Sequence, residues 1–174
     1  HPITRSLLLT GWLLCLLRAA TAQDTDIQAG YLLPSLRENP WRYSHDLGES
    51  QSKNPDLEYD ADTGTLNWTL HFPQGGTAVR LLGEERSLWG RANALTAEVY
   101  VPRNAPADLT AQIALRHDVW GWFLAQPTQQ LKPGEWNQLH WPLGESSSIW
   151  RSLGGSVIWN DTLRRNLSRV ALRC

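Results

Sequence analysis

From Leu66 the chain alternates between apolar and polar positions. Leu66, Trp68, Leu70 and Phe72 are interleaved with Thr65, Asn67, Thr69 and His71. A period of two sends successive side chains to opposite faces, so the stretch predicts a half-buried strand. The same pattern returns twice. Leu95, Ala97, Val99 and Val101 alternate with Ala94, Thr96, Glu98 and Tyr100, and Leu109, Ala111, Ile113 and Leu115 with Thr110, Gln112, Ala114 and Arg116. Weaker strands are expected at 77–82, 122–126, 136–141, 156–159 and 168–173. Between them stand Asp62-Thr63-Gly64, Pro73-Gln74-Gly75-Gly76, the Pro102–Pro106 stretch, Lys132-Pro133-Gly134-Glu135, Leu143-Gly144-Glu145 and Gly154-Gly155, all turn chemistry. Many short strands with frequent turns predict an all-β fold, an antiparallel β-sandwich. Glu84 to Ala94 is the one helix-like stretch, and Gly90 interrupts it.

The N-terminus follows a different rule. Leu7 to Leu17 reads LLLTGWLLCLL between Arg5 and Arg18, and Ala20-Thr21-Ala22 follows. A positive residue, a short apolar run and small residues at an A-x-A site make the pattern of a secretory signal peptide. The run is well short of the roughly 20 residues that span a bilayer, so a membrane anchor is the weaker reading. Leu13 and Leu14 before Cys15 argue against a lipoprotein site. Residues 1–22 are therefore expected to be a signal peptide, 23–55 an unpatterned leader or loop, and 56–174 the sandwich. Secretion places the protein outside the cell or in the periplasm, with no membrane contact after cleavage. Only Cys174 would remain, so no internal disulfide forms and the core alone must hold the fold. The sequence stops inside an apparent strand, Arg169 to Arg173, and is expected to continue beyond Cys174.

Composition narrows the function. The 174 residues carry 16 Lys+Arg against 17 Asp+Glu, a net charge of −1, which argues against a basic nucleic-acid footprint. Ten tryptophans and no methionine are the unusual counts. Trp68, on a strand face with Leu66, Leu70 and Phe72, reads as core; Trp136 is expected to pack over the Pro-Gly-Glu turn that it follows and Trp141 shares a face with Leu139, so both read as structural. Trp89, Trp120, Trp122, Trp150 and Trp159 fall at loop edges, where a core does not need them. An exposed indole forgoes burial of a large apolar face, and the C–H face of a sugar ring can supply the missing partner. If residues 102–108 form a hairpin, strands 94–101 and 109–116 pair, and Glu98, Tyr100, Gln112 and Arg116 share one face with groups suited to hydroxyls.

A longer pattern gives a resemblance. The run Leu88 to Pro102, then Ala105-Pro106-Ala107-Asp108-Leu109, Trp120-Gly121-Trp122-Phe123 and Leu131-Lys132-Pro133-Gly134-Glu135-Trp136-Asn137 resembles jelly-roll carbohydrate-binding domains of the galactose-binding-like type. These often accompany secreted glycoside hydrolases. The resemblance implies a jelly roll over roughly Leu57 to Arg173, a poly- or oligosaccharide ligand, an attached catalytic domain and a structural calcium whose ligands it does not place. The expected site is Trp89, Trp120, Trp122 and Trp159 for stacking, with Tyr100, Gln112 and Arg116 for hydroxyl contacts.

Other chemistry is weak. Asp60-Ala61-Asp62-Thr63-Gly64 lacks the third acidic ligand and closing Glu of an EF-hand and reads as a turn. His45-Asp46 and His117-Asp118 have no G-x-S-x-G nucleophile elbow beside them, and the five His show no H-x-x-x-H spacing. Glu84-Glu85 would point to opposite faces of a strand and suit glycosidic cleavage poorly. Asn67, Asn160 and Asn166 begin N-x-[ST] sequons. No catalytic residue is assigned. The expectation is a secreted, non-catalytic carbohydrate-binding domain, the N-terminal accessory of a polysaccharide-active enzyme. The alternatives are a structural or adhesion sandwich without a sugar site, and a fragment of a glycoside hydrolase whose catalytic domain lies beyond residue 174.

Overall fold

A computed structural model describes residues 13–21, 30–32, 41–44, 47, 57–60, 65–70, 76–82, 90–144 and 147–174. The described residues are mostly strand with one short helix, so the all-β expectation holds. In chain order the strands are β1 (Leu13–Thr21), β2 (Gly30–Leu32), β3 (Trp41–Ser44), β4 (Leu57–Asp60), β5 (Thr65–Trp68), β6 (Thr77–Leu81) and β7 (Ala92–Tyr100). They continue with β8 (Thr110–His117), β9 (Gly121–Ala125), β10 (Gln129–Gln130), β11 (Trp136–Pro142), β12 (Trp150–Ser152) and, after the helix α1 (Asp161–Arg165), β13 (Leu167–Arg173).

Two antiparallel sheets result. The first runs β11-β7-β1-β5-β4 with β2 on β1, and the second β12-β9-β8-β13-β6-β3 with β10 on β8. One apolar cluster joins them. Leu95, Ala97 and Val99 of β7 and Leu139 and Trp141 of β11 pack with Ile113 and Leu115 of β8, Phe123 of β9 and Val170 and Leu172 of β13. These are the period-two apolar positions of each strand, so alternation has fixed which face is buried. The arrangement is consistent with a β-sandwich.

Several expectations change. Strands 94–101 and 109–116 do not pair: β7 lies between β11 and β1, whereas β8 lies between β9 and β13. The connection crosses from one sheet to the other. The Val101 N–H donates to the Glu135 carbonyl and Leu131 N–H to the Leu109 carbonyl, so each strand end is held by the 131–135 turn rather than by its neighbour in sequence. Pro102 and Pro106, which lack a ladder donor, suit an arch better than a hairpin. No strand forms at 156–159, while residues 23–55 contribute β2 and β3. A short helix at 161–165 was unforeseen. Asn160 caps it, its Oδ1 accepting from Leu163 N–H at 3.1 Å.

Of the expected signal peptide, Leu13–Thr21 is described, as β1. Its backbone pairs with β7 from Leu14↔Tyr100 to Thr21↔Ala92 and with β5 at Leu13↔Trp68 to Cys15↔Leu66. Among the described residues no helix is long and apolar enough to cross a membrane.

Candidate functional site

The β8–β9 turn is built around His117. This side chain is buried at the end of β8, and its Nδ1 accepts the N–H groups of Val119 at 3.1 Å and Trp120 at 3.3 Å. Gly121 follows with φ of +78°. A Cβ there would meet nothing within 4 Å, so the left-handed backbone, not lack of space, asks for glycine. The turn leaves Trp120 53% exposed, with Val119 exposed beside it.

Trp120 borders a groove of about 480 Å³ whose other walls are Val157 and the helix start, Asn160, Asp161, Thr162 and Leu163. That volume falls within the usual span of ligand sites. The polar wall is held in place. Asn160 Nδ2 donates to the Ile158 carbonyl at 3.2 Å, and Asp161 lies 2.9 Å from the Arg164 guanidinium, which donates to the Ala92 carbonyl. One indole face, one carboxylate and one threonine hydroxyl thus meet at an open groove. No catalytic pair of carboxylates is among its lining residues.

The remaining expected site residues do not gather there. Trp122 is 6% exposed and lies in an apolar band on the outer face of the second sheet, with Leu47, Val79, Ala114, Leu124 and Ala171. The Arg116 guanidinium sits 5.9 Å from its ring centroid. Trp159 is 3% exposed inside the main core, stacked on Trp150 at 4.9 Å and edge-on to Phe123 at 5.5 Å. Its Nε1 donates to the Leu143 carbonyl, so both its apolar surface and its polar handle are satisfied internally. Loop-edge exposure therefore fails for both: neither ring offers a face to a ligand. Trp150 is buried for the same reason, its Nε1 donating to the Pro142 carbonyl. Trp89 lies outside the described residues.

Tyr100 and Gln112 are separated by the sheet crossing. Tyr100 is on the outer face of the first sheet, its ring 5.6 Å from that of Trp136, its register partner on β11. Trp136, expected to pack over the turn, is 49% exposed. Its parity gave the signal: Trp141 and Leu139 are buried, and Trp136 stands an odd number of positions from each. Gln112 and Arg116 are on the outer face of the second sheet. The six-residue turn motif Leu131 to Trp136 is structural, as expected. Buried Asn137 accepts from Lys132 N–H at 2.7 Å and donates to the Lys132 and Glu135 carbonyls.

Among the described residues no group of three His, Cys, Asp or Glu side chains could hold a metal ion. The Asp60–Gly64 turn is only partly described, and the calcium expectation receives no ligand set. Comparison with protein-family models, curated proteins and solved structures found no match.

Proposed function

We propose that this protein is a secreted, non-catalytic carbohydrate-binding domain with a jelly-roll arrangement of its strands, acting as the accessory module of a polysaccharide-active enzyme. The observation that carries the reading is Trp120, an indole left in water at the edge of a groove walled by Asp161 and Thr162. Its exposed face suits the C–H surface of a pyranose ring, and the carboxylate and hydroxyl opposite suit the ring's hydroxyl groups. Held on a polymer in this way, the domain raises the effective concentration of an attached active site.

The test is retention of the full chain on a panel of soluble and insoluble polysaccharides, by affinity electrophoresis and pull-down. Trp120→Ala is expected to abolish retention on the glycan that binds while leaving the unfolding midpoint unchanged. A folded protein that no glycan retains overturns the reading and favours a structural sandwich. That second reading has its own support in the burial of Trp68, Trp122, Trp141, Trp150 and Trp159, which accounts for much of the tryptophan content without a ligand.

Secretion rests on the sequence pattern of residues 1–22. The same stretch supplies β1, and the two roles exclude each other in one mature molecule, since a leader removed at Ala22 cannot lie between β5 and β7. The intact mass of the exported protein decides. A mass lacking residues 1–22 supports the leader; a protein that keeps them removes the basis for secretion.

A further inference from the structure

The second sheet is one-signed. Its strands contain Arg42, Arg80, Arg116, Arg151, Arg169 and Arg173 and no Asp or Glu, although the whole chain carries slightly more acid than base. The first sheet differs, with Glu58 and Asp60 on β4 and Glu98 on β7. On the outer face of the second sheet the apolar band of Ala114, Leu124, Ala171 and Val79 is followed by a polar row two residues further along. Register places Arg173 opposite Gln112 on one side and Thr77 on the other. These three, with Thr110, Thr128 and the Gly76 and Cys174 backbone, line a pocket of about 240 Å³.

The hydrogen bonding of the row has a direction. Gln112 Nε2 donates to the Ala125 carbonyl at 2.9 Å, which fixes the amide so that Oε1 faces Arg173 and accepts from its Nη1 at 3.0 Å. The guanidinium is therefore held in place by a neutral acceptor that uses one of its five donors. Among the described residues no carboxylate lies within ion-pairing distance of it. A half-buried cation with no Asp or Glu partner among the described residues, beside three hydroxyl groups able to donate, forms a receptor for oxygen anions. The small volume suits a single carboxylate or sulfate group rather than a whole ring.

We propose that Arg173, oriented by Gln112 and flanked by Thr77, Thr110 and Thr128, binds the carboxylate or sulfate group of an acidic saccharide. The identification of the ligand as a saccharide rests on the function proposed above; the oxyanion chemistry does not. Gln112 is a positioning residue as well as part of the wall.

Titration calorimetry of the full chain with four probes tests this: an oligouronate, a sulfated neutral oligosaccharide, the unsulfated counterpart and inorganic sulfate. Arg173→Gln removes the charge at similar size. Gln112→Glu instead supplies an internal carboxylate that pairs with Arg173 and competes with the ligand, so it tests the site without deleting the cation. Each variant is expected to weaken the preferred acidic oligosaccharide about ten-fold or more, as loss of a charge-assisted contact does. Raised salt should weaken the wild type more than either variant. The oligouronate and the sulfated probe separate the two sources of the anion. Unchanged acidic binding in both folded variants overturns the proposal. So does binding of the neutral oligosaccharide through Trp120 with no preference for acid, an outcome that leaves the Trp120 reading standing. Binding of inorganic sulfate alone overturns the saccharide ligand and retains only an anion pocket.

Discussion

Gln112 and His117 stand at opposite ends of β8, about 17 Å apart along the strand, and the surfaces they support differ in kind. At the Gln112 end a guanidinium and hydroxyl groups line a small pocket with no Asp or Glu among its lining residues. At the His117 end an exposed indole faces a carboxylate already engaged by Arg164 across a groove of about twice the volume. One end suits a charged group and the other a ring. Gln112 is an outward position of β8, whereas His117, an odd number of residues away, has the inward parity and acts on its surface through the turn that follows the strand.

The comparison holds only if the packing beneath the His117 end is as rigid as its contacts suggest, and Trp159 is the place to break it. Trp159→Ala removes a ring that fills the core between Trp150 and Phe123 and orphans the Leu143 carbonyl. A loss of about 3–5 kcal/mol is expected, read as a lowered urea midpoint. Trp120→Ala at the surface should stay within about 0.5 kcal/mol of the wild type. Equal midpoints for the two variants would show that Trp159 is not the core residue its burial indicates.

The contrast between these tryptophans also shows what could be read from the sequence. Alternation placed Trp68, Trp141 and the strands at 94–101 and 109–116 correctly, because parity along a strand is a local property. What it could not show was which strands are neighbours. Glu98, Tyr100, Gln112 and Arg116 were grouped on one face because a hairpin is the shortest connection. The arch at 102–109 sends the first two to one sheet and the last two to the other. Arg173 and Thr77 stayed invisible as partners of Gln112 for the same reason: 61 residues separate Arg173 from Gln112, and only the register of β13 and β8 brings them together. Proximity to a turn also misled for Trp122 and Trp159: an apolar band covers the first on the outer face of the second sheet, and the second turns into the core from a segment that forms no strand.

A smaller effect is expected from the groove wall. Asn160→Ala deletes the side-chain acceptor for Leu163 N–H at the start of α1. About 1 kcal/mol of stability should be lost. Because Asn160 also lines the groove, glycan retention should fall in parallel, whereas anion binding at Arg173 should not move. A loss of anion binding in this variant would mean that the two ends of β8 are coupled rather than independent.

The finest distinction concerns protons. Burial holds the His117 pKa below its ordinary value of 6.5, partly opposed by the adjacent Asp118 carboxylate. The geometry agrees with the direction, since Nδ1 must be unprotonated to accept from Val119 and Trp120. In the unfolded chain the imidazole takes up its proton near 6.5, while in the folded chain it resists until lower pH. The unfolded state therefore binds more protons across that window. The contribution of this group is complete above 6.5 and is lost as pH falls from there through the folded-state value. The urea midpoint should decline between pH 7.5 and 5.5, and the decline should be shallower in His117→Asn. Protonation also removes the acceptor that holds the Trp120 turn, so retention through Trp120 should weaken over the same window. Anion binding at Arg173, at the other end of β8 and with no contact to His117, should not follow it. An identical pH slope in wild type and His117→Asn would assign the decline to other histidines and leave the turn independent of protonation.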